Sequence, residues 1–174
     1  MNDTRNVIDE FKGIPEEEII RTLDENGVEL EIAIENLERD FNMGTIVRSA
    51  NAFGVRHIHV IGRRQWNKRG AMATDKYLHM HYHSTVMDFV SEMKLRAKVI
   101  VAIDNVDESV GLYLVKLPKN AILVFGAEGP GLSSELLQQA DNIIAIEQFG
   151  STRSINVGVA AGIAMYEWLR VHHL

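Results

Sequence analysis

Three short segments carry residue types at spacings that could act on a bound ligand. The first is Asn42-Met-Gly-Thr-Ile-Val-Arg48. Asn42 falls at the start of a predicted helix, and Arg48 follows less than two turns later. A glycine this close to a helix start costs ~1 kcal/mol in propensity relative to alanine. Gly44 therefore suggests close approach by another backbone or by a ligand. Arg48 adjoins the apolar Ile46 and Val47, which would cover part of it. It could clamp an anion or pair with one of the chain's many acids. The second segment is Phe125-Gly-Ala-Glu-Gly-Pro-Gly-Leu132. It matches neither the dinucleotide fingerprint nor the phosphate-binding loop. So many glycines let a planar or charged ligand reach the backbone, though a plain strand-to-helix turn would need them too. Glu128 could accept hydrogen bonds or neutralise a cation there. The third segment runs from Ile146 to Ala160, IEQFGSTRSINVGVA. Ser154 and Asn156 flank a helix start, where one of them is expected as the cap. No G-x-S-x-G elbow surrounds Ser154, which argues against a hydrolase nucleophile.

The elements that must position these segments follow from periodicity. Pro15 and Glu16–Glu18 open a helix that Gly27 closes. Leu30–Leu37 alternates and reads as a strand. Asn42–Phe53 repeats apolar residues at i, i+3, i+4 and i+7 and reads as a helix, with Gly54 as its stop. His57–Ile61 is a strand. Residues 62–76 have no period and read as a long loop. Leu78–Val86 contains a short strand in which His79, His81 and His83 alternate and could share one face, expected to meet solvent. Met87–Arg96 is a helix and Lys98–Ile103 a buried strand. The segment 104–120 is ambiguous. Strand Ala121–Phe125, helix Ser133–Ala140, strand Ile143–Ile146 and helix Ile155–Val171 complete the chain. Strands alternating with helices imply an α/β fold, a mainly parallel sheet with helices on both faces. The glycine-rich loop and the Ser154 loop then both leave strand ends, where ligands bind in such sheets. Residues 1–28 read as an N-terminal helical extension and residues 29–174 as the main domain.

Composition narrows the class of protein. At 174 residues with 46% hydrophobic content, the chain fits one globular domain. No apolar run reaches the ~20 residues of a membrane span. The absence of cysteine excludes disulfides and thiolate chemistry. With no signal-like apolar core at the N-terminus, a cytoplasmic location is expected. The net charge of −6 is unevenly spread. Residues 48–76 carry seven bases against Asp75 alone, whereas residues 1–40 hold thirteen acids and four bases. Such a basic stretch in an acidic chain is a phosphate-binding footprint or a solvated loop.

Taken together, the three segments resemble the motifs of the TrmH/SpoU family of RNA ribose 2′-O-methyltransferases, in the SPOUT class. Asn42, Gly44 and Arg48 match its N-x-G-x-x-x-R motif. Gly126, Glu128, Gly129, Gly131 and Leu132 match its glycine-rich motif. Ile146, Gly150, Ser154, Ile155, Asn156 and Val157 match the third. The resemblance runs from about Leu30 to Leu169. Glu147 stands where the family has proline, and Phe41 replaces a common proline before Asn42.

The resemblance implies a deep trefoil knot in the last third of the chain. It implies S-adenosylmethionine as cofactor, held at Gly126, Ile146 and Ile155, and no metal. It implies transfer of a methyl group to a ribose 2′-hydroxyl of tRNA or rRNA. Arg48, Glu128, Ser154 and Asn156 match the catalytic positions. A guanidinium stays protonated, so Arg48 fits a phosphate and hydroxyl clamp better than a base. Asn42, Arg63, Arg64, Trp66, Lys68 and Arg69 would contact RNA, with Trp66 stacking on a base. The C-terminal helix would join a homodimer. Rival readings are a catalytically inactive RNA-binding relative, a SPOUT enzyme that methylates a base, and a nucleotide-dependent oxidoreductase. The missing dinucleotide fingerprint disfavours the last.

Overall fold

The computed structural model describes residues 4–37, 42–126 and 130–174. The strands are β1 Glu31–Asn36, β2 His57–Gly62, β3 His79–His83, β4 Val99–Ile103, β5 Val110–Gly111, β6 Ala121–Phe125 and β7 Asn142–Ala145. The helices are α1 Glu16–Glu25, α2 Met43–Ala52, α3 Val86–Leu95, α4 Ser134–Gln139 and α5 Val157–His172. All strand pairs are parallel, in the order β3-β2-β1-β6-β4-β7-β5. The central strands β1 and β6 are buried along their whole length, as parallel strands covered on both faces must be. The ambiguous segment supplies β5 and a 3-10 turn at Leu112–Leu114.

Alternation along β1 divides the core between two faces. Leu30, Ile32 and Ile34 pack with Met43, Ile46 and Val47 of α2 and with Ala161, Met165 and Trp168 of α5. Ala33, Ile100, Ile122 and Val124 pack with Phe89 and Met93 of α3 and Leu136 of α4 on the other face. Among the described residues, no helix is long and apolar enough to cross a membrane. α1 docks through Asp24, which accepts from Arg56 at 2.8 Å and lies 2.9 Å from His79 Nε2.

The unperiodic loop is tethered to α2. A Cβ on Gly44 would lie 2.6 Å from Ala71 N and 2.8 Å from the Gly70 Cα. Gly44 therefore meets another backbone, not a ligand, and the loop that holds Arg63–Arg69 rests on the helix that bears Arg48. Gly44→Ala would gain helix propensity of ~1 kcal/mol, but overpacking against backbone typically costs about 1–3 kcal/mol. Chemical denaturation should find the variant destabilised. Equal or greater stability would show that this close approach is not a constraint.

The three alternating histidines do share a face, but they are less exposed than expected. His83 is buried, His79 and His81 are half-buried, and their rings stack on His57 and His59 of β2. Fully buried His59 lies 2.9 Å from Glu31. Burial raises the Glu31 carboxyl, but hydrogen bonds from His59 and Lys98 and the charges of Lys98 and Arg96 outweigh it, bringing it down to about 2. Burial, reinforced by the neighbouring His59 and His57, takes His81 down to about 4.

Candidate active site

A pocket of about 590 Å³ opens at the carboxyl ends of β4, β6 and β7. Its apolar walls include Ile103, Phe125, Leu132, Ile146 and Ile155. Gly126 sits at the end of β6, and a Cβ there would run into the backbone of Gly131 and Leu132. Gly131 adopts a φ of 72°, which favours glycine, and its own Cβ would lie 2.6 Å from Asp104 Oδ2. Two carboxylates anchor the far end of this loop. Asp104 accepts from Leu132 N at 2.8 Å, and Glu35 accepts from Ser133 N at 2.7 Å and from Ser133 Oγ. Ser133 in turn caps α4 by accepting from Leu136 N. The glycines therefore let two backbone segments nest, and β1 and β4 hold them from below.

The third segment forms the opposite rim. Ile146 and Gln148 line the pocket. Glu147, between them, accepts instead from Tyr113 N at 3.2 Å and lines a separate groove beside α5. The residue in place of the family's proline thus braces the turn after β5 and stays out of the pocket. Gln148 Oε1 is buried, with no hydrogen-bond partner among the described residues. A buried acceptor left open in a pocket wall calls for a donor from whatever binds there. Asn156 caps α5, accepting from Gly158 N at 2.9 Å and Val159 N at 3.3 Å. With its oxygen so engaged, its amide nitrogen donates to Asn42 Oδ1 at 3.0 Å. The cap and the rim are therefore one side chain. Exposed Ser154 lines the pocket without capping the helix.

Asn42 and Asn156, 114 positions apart, join the first motif to the third at the amino ends of α2 and α5. Gly158 lets these helices approach, since a Cβ on it would lie 3.0 Å from Thr45 Cγ2. Arg48 differs from the expectation of partial cover. It is exposed, because Ile46 and Val47 turn into the core and the next position rotates out to solvent. Among the described residues it makes no ion pair, so the alternative of a structural salt bridge is not met. Glu128 and Gly129 lie outside the described residues.

The basic loop is exposed at Arg63, Arg64, Lys68 and Arg69. The Arg64 guanidinium lies 4.6 Å from the centre of the Tyr82 ring. Lys68 pairs with Asp75 at 2.7 Å, a hydrogen bond that raises its pKa, and lies 5.5 Å from the Trp66 ring centre. Trp66 corrects the expectation of an open stacking platform. It is half-buried and packs on the core, so its ring anchors the loop.

Sequence reasoning missed Asp104, Gln148 and Glu35. The available signal was position: Asp104 directly follows the buried strand Val99–Ile103, at the edge where parallel sheets bind ligands.

A parallel α/β sheet with a glycine-walled pocket at its carboxyl edge defines a ligand-binding domain of the open-sheet class. The chain belongs to the SpoU rRNA methylase family, whose model matches residues 29–166. It is 31% identical to the tRNA (guanosine(18)-2′-O)-methyltransferase of Aquifex aeolicus (strain VF5) over 149 residues, 83% of this chain and 71% of the relative. It is 27% identical to the enzyme of that name from Escherichia coli (strain K12) over 142 residues, 80% of this chain. That match spans 62% of the E. coli protein. Among solved structures, the A. aeolicus TrmH/SpoU tRNA modifying enzyme superposes with a TM-score of 0.77 at 29% identity, covering 89% of this chain and 83% of that one. The AdoMet-bound rRNA methyltransferase of Sinorhizobium meliloti gives 0.72 at 27% identity, covering 83% of this chain and 57% of that one.

Proposed function

We propose that the chain is an S-adenosylmethionine-dependent methyltransferase acting on a ribose 2′-hydroxyl of tRNA or rRNA. The observation that carries this reading is the Asn42–Asn156 hydrogen bond, which fixes the helix of Arg48 against the pocket rim that bears Ser154. The pocket suits the cofactor. Gly126 and Gly131 give close backbone access, Ile146 and Ile155 offer apolar surface for a ring, and Gln148 Oε1 awaits a donor.

When bound, S-adenosylmethionine supplies an electrophilic methyl group. The chain's own residues hold the other reactant. A ribose 2′-hydroxyl is a weak nucleophile and must shed its proton as it attacks. Arg48, exposed and cationic, clamps the adjacent phosphate and orients the hydroxyl. Ser154 contacts the ribose or relays its proton. Asn156 is locked as the α5 cap and keeps the rim at a fixed distance from α2. Arg63, Arg64 and Arg69 extend the cationic surface along the RNA backbone, from a loop tethered at Gly44. In this reading the segment from β6 to α5 is the part threaded as the family's trefoil knot. A second copy covers the exposed apolar residues of α5, where Val159 is 55% and Tyr166 53% exposed. The protein works in the cytoplasm.

The test is transfer of labelled methyl from S-adenosylmethionine to tRNA and rRNA transcripts. The reading expects saturable transfer to a discrete site. Tight cofactor binding without transfer to any RNA would favour the inactive, RNA-binding alternative.

A further inference from the structure

Five of the chain's seven histidines lie together at the β2–β3 edge. The strand register pairs His57 with His79 and His59 with His81, and places His83 one step on. The rings form a ladder with nitrogen contacts between its rungs. His57 Nδ1 is 3.0 Å from His81 Nε2, and His59 Nδ1 is 2.8 Å from His83 Nε2. Helix α3 closes the inner end, where Phe89 presents its ring to His59 and His83 edge-on. On the same helix, Glu92 Oε2 lies 3.7 Å from His83 Nδ1. This cluster has no part in the methyl-transfer reading, whose pocket lies at the ends of β4, β6 and β7.

We propose that His59, His83 and Glu92 form a binding site for one borderline divalent transition metal ion of the zinc type. Two imidazoles and one carboxylate are the donor set such ions take, with water in the fourth position; magnesium and calcium prefer oxygen alone. One ligand atom from each residue falls within 4.8 Å of the other two. Tetrahedral binding at ~2.0–2.1 Å needs ligand atoms about 3.4 Å apart, so the site must adjust by about an ångström. The 2.8 Å contact between His59 Nδ1 and His83 Nε2 would open to admit the ion, and Glu92, whose side chain is 44% exposed, would swing to it from the Nδ1 side of His83.

The neighbours of these residues orient them as outer partners orient metal ligands. Glu31 Oε2 lies 2.9 Å from His59 Nε2 and accepts a hydrogen bond from the Nε2–H, which leaves the Nδ1 lone pair facing His83 Nε2. Arg96 lies 3.7 Å from Glu92 Oε1, so the other carboxylate oxygen is the one that turns to His83. The nearby charges balance before an ion binds, with the Arg96 guanidinium 3.5 Å from His59 Nε2. Arg96 and Lys98 are the nearby cations, and both pair with Glu31, while Glu92 adds a second negative charge. A metal here would fasten α3 to the β2–β3 edge of the sheet.

The test uses the untagged full chain, stripped with a chelator and titrated with cobalt(II), then with zinc in competition. The expected result is one equivalent bound, visible absorption typical of four-coordinate cobalt, and a zinc-dependent rise in Tm. Glu92→Gln and His83→Asn should each weaken binding at least tenfold and remove the Tm rise. Glu92 is half-exposed, so its variant should fold, as circular dichroism will verify. A His172→Asn, His173→Asn double variant should bind as the parent does. Absence of stoichiometric binding, or binding equal in parent and Glu92→Gln, would overturn the proposal.

Discussion

Arg48→Ala should lower methyl transfer by on the order of 10²–10³-fold, the usual loss when one positioned group that stabilises a transition state is removed. Cofactor affinity should not change, because Arg48 does not line the pocket. Stability should stay within about 0.5 kcal/mol, as for exposed positions in general. Arg48 is exposed and makes no ion pair among the described residues, so its loss breaks no charge contact with them. Arg48→Lys should recover little, since an ammonium lacks the planar fork that holds a phosphate and a hydroxyl together. Single-turnover kinetics with saturating RNA, beside equilibrium binding of the cofactor, separates these effects. Near-normal turnover in the alanine variant would remove Arg48 from the reaction. Loss of cofactor binding would show that it acts on the pocket instead.

Gly126→Ala should have the opposite profile. Its Cβ would meet the Gly131 carbonyl and the Leu132 amide, both backbone groups that cannot swing aside. The strain, about 1–3 kcal/mol for an overpacked site, is relieved only by displacing the turn that Asp104 and Glu35 anchor. Cofactor affinity should fall roughly ten- to a hundred-fold, at about 1.4 kcal/mol per decade. RNA affinity should change little. Gly150→Ala is the matched control, because its Cβ would meet nothing within 4 Å. Calorimetry with the cofactor decides between them: equal affinities in the two variants would mean that the Gly126–Gly131 contact does not shape the pocket.

The elements of this fold were largely legible because each has its own period. Alternation identified β1, i, i+3, i+4 spacing identified α2, and unbroken apolar runs identified β4 and β6. The polar site was legible where it is local, as at Ser154 and Asn156, two positions apart. The rest depends on strand order. Glu35 and Ser133 are 98 positions apart, and they meet only because β6 pairs directly with β1. Asp104 reaches the glycine turn because β4 lies on the other side of β6. The alternation of His79, His81 and His83 was plain, but their partners His57 and His59 come from the neighbouring strand through a register that no local pattern encodes. Trp66 misled for a similar reason. A tryptophan among arginines suits base stacking, yet the loop folds back and the ring packs on the core.

The most direct measurement of the central claim is the position of the added methyl group. RNA treated with the protein and labelled S-adenosylmethionine is digested to nucleosides and analysed by mass spectrometry, beside a transcript whose target ribose carries a 2′-deoxy substitution. The account expects a 2′-O-methylnucleoside from the natural RNA and no transfer to the 2′-deoxy transcript. A methylated base, or undiminished transfer to the 2′-deoxy RNA, would contradict it.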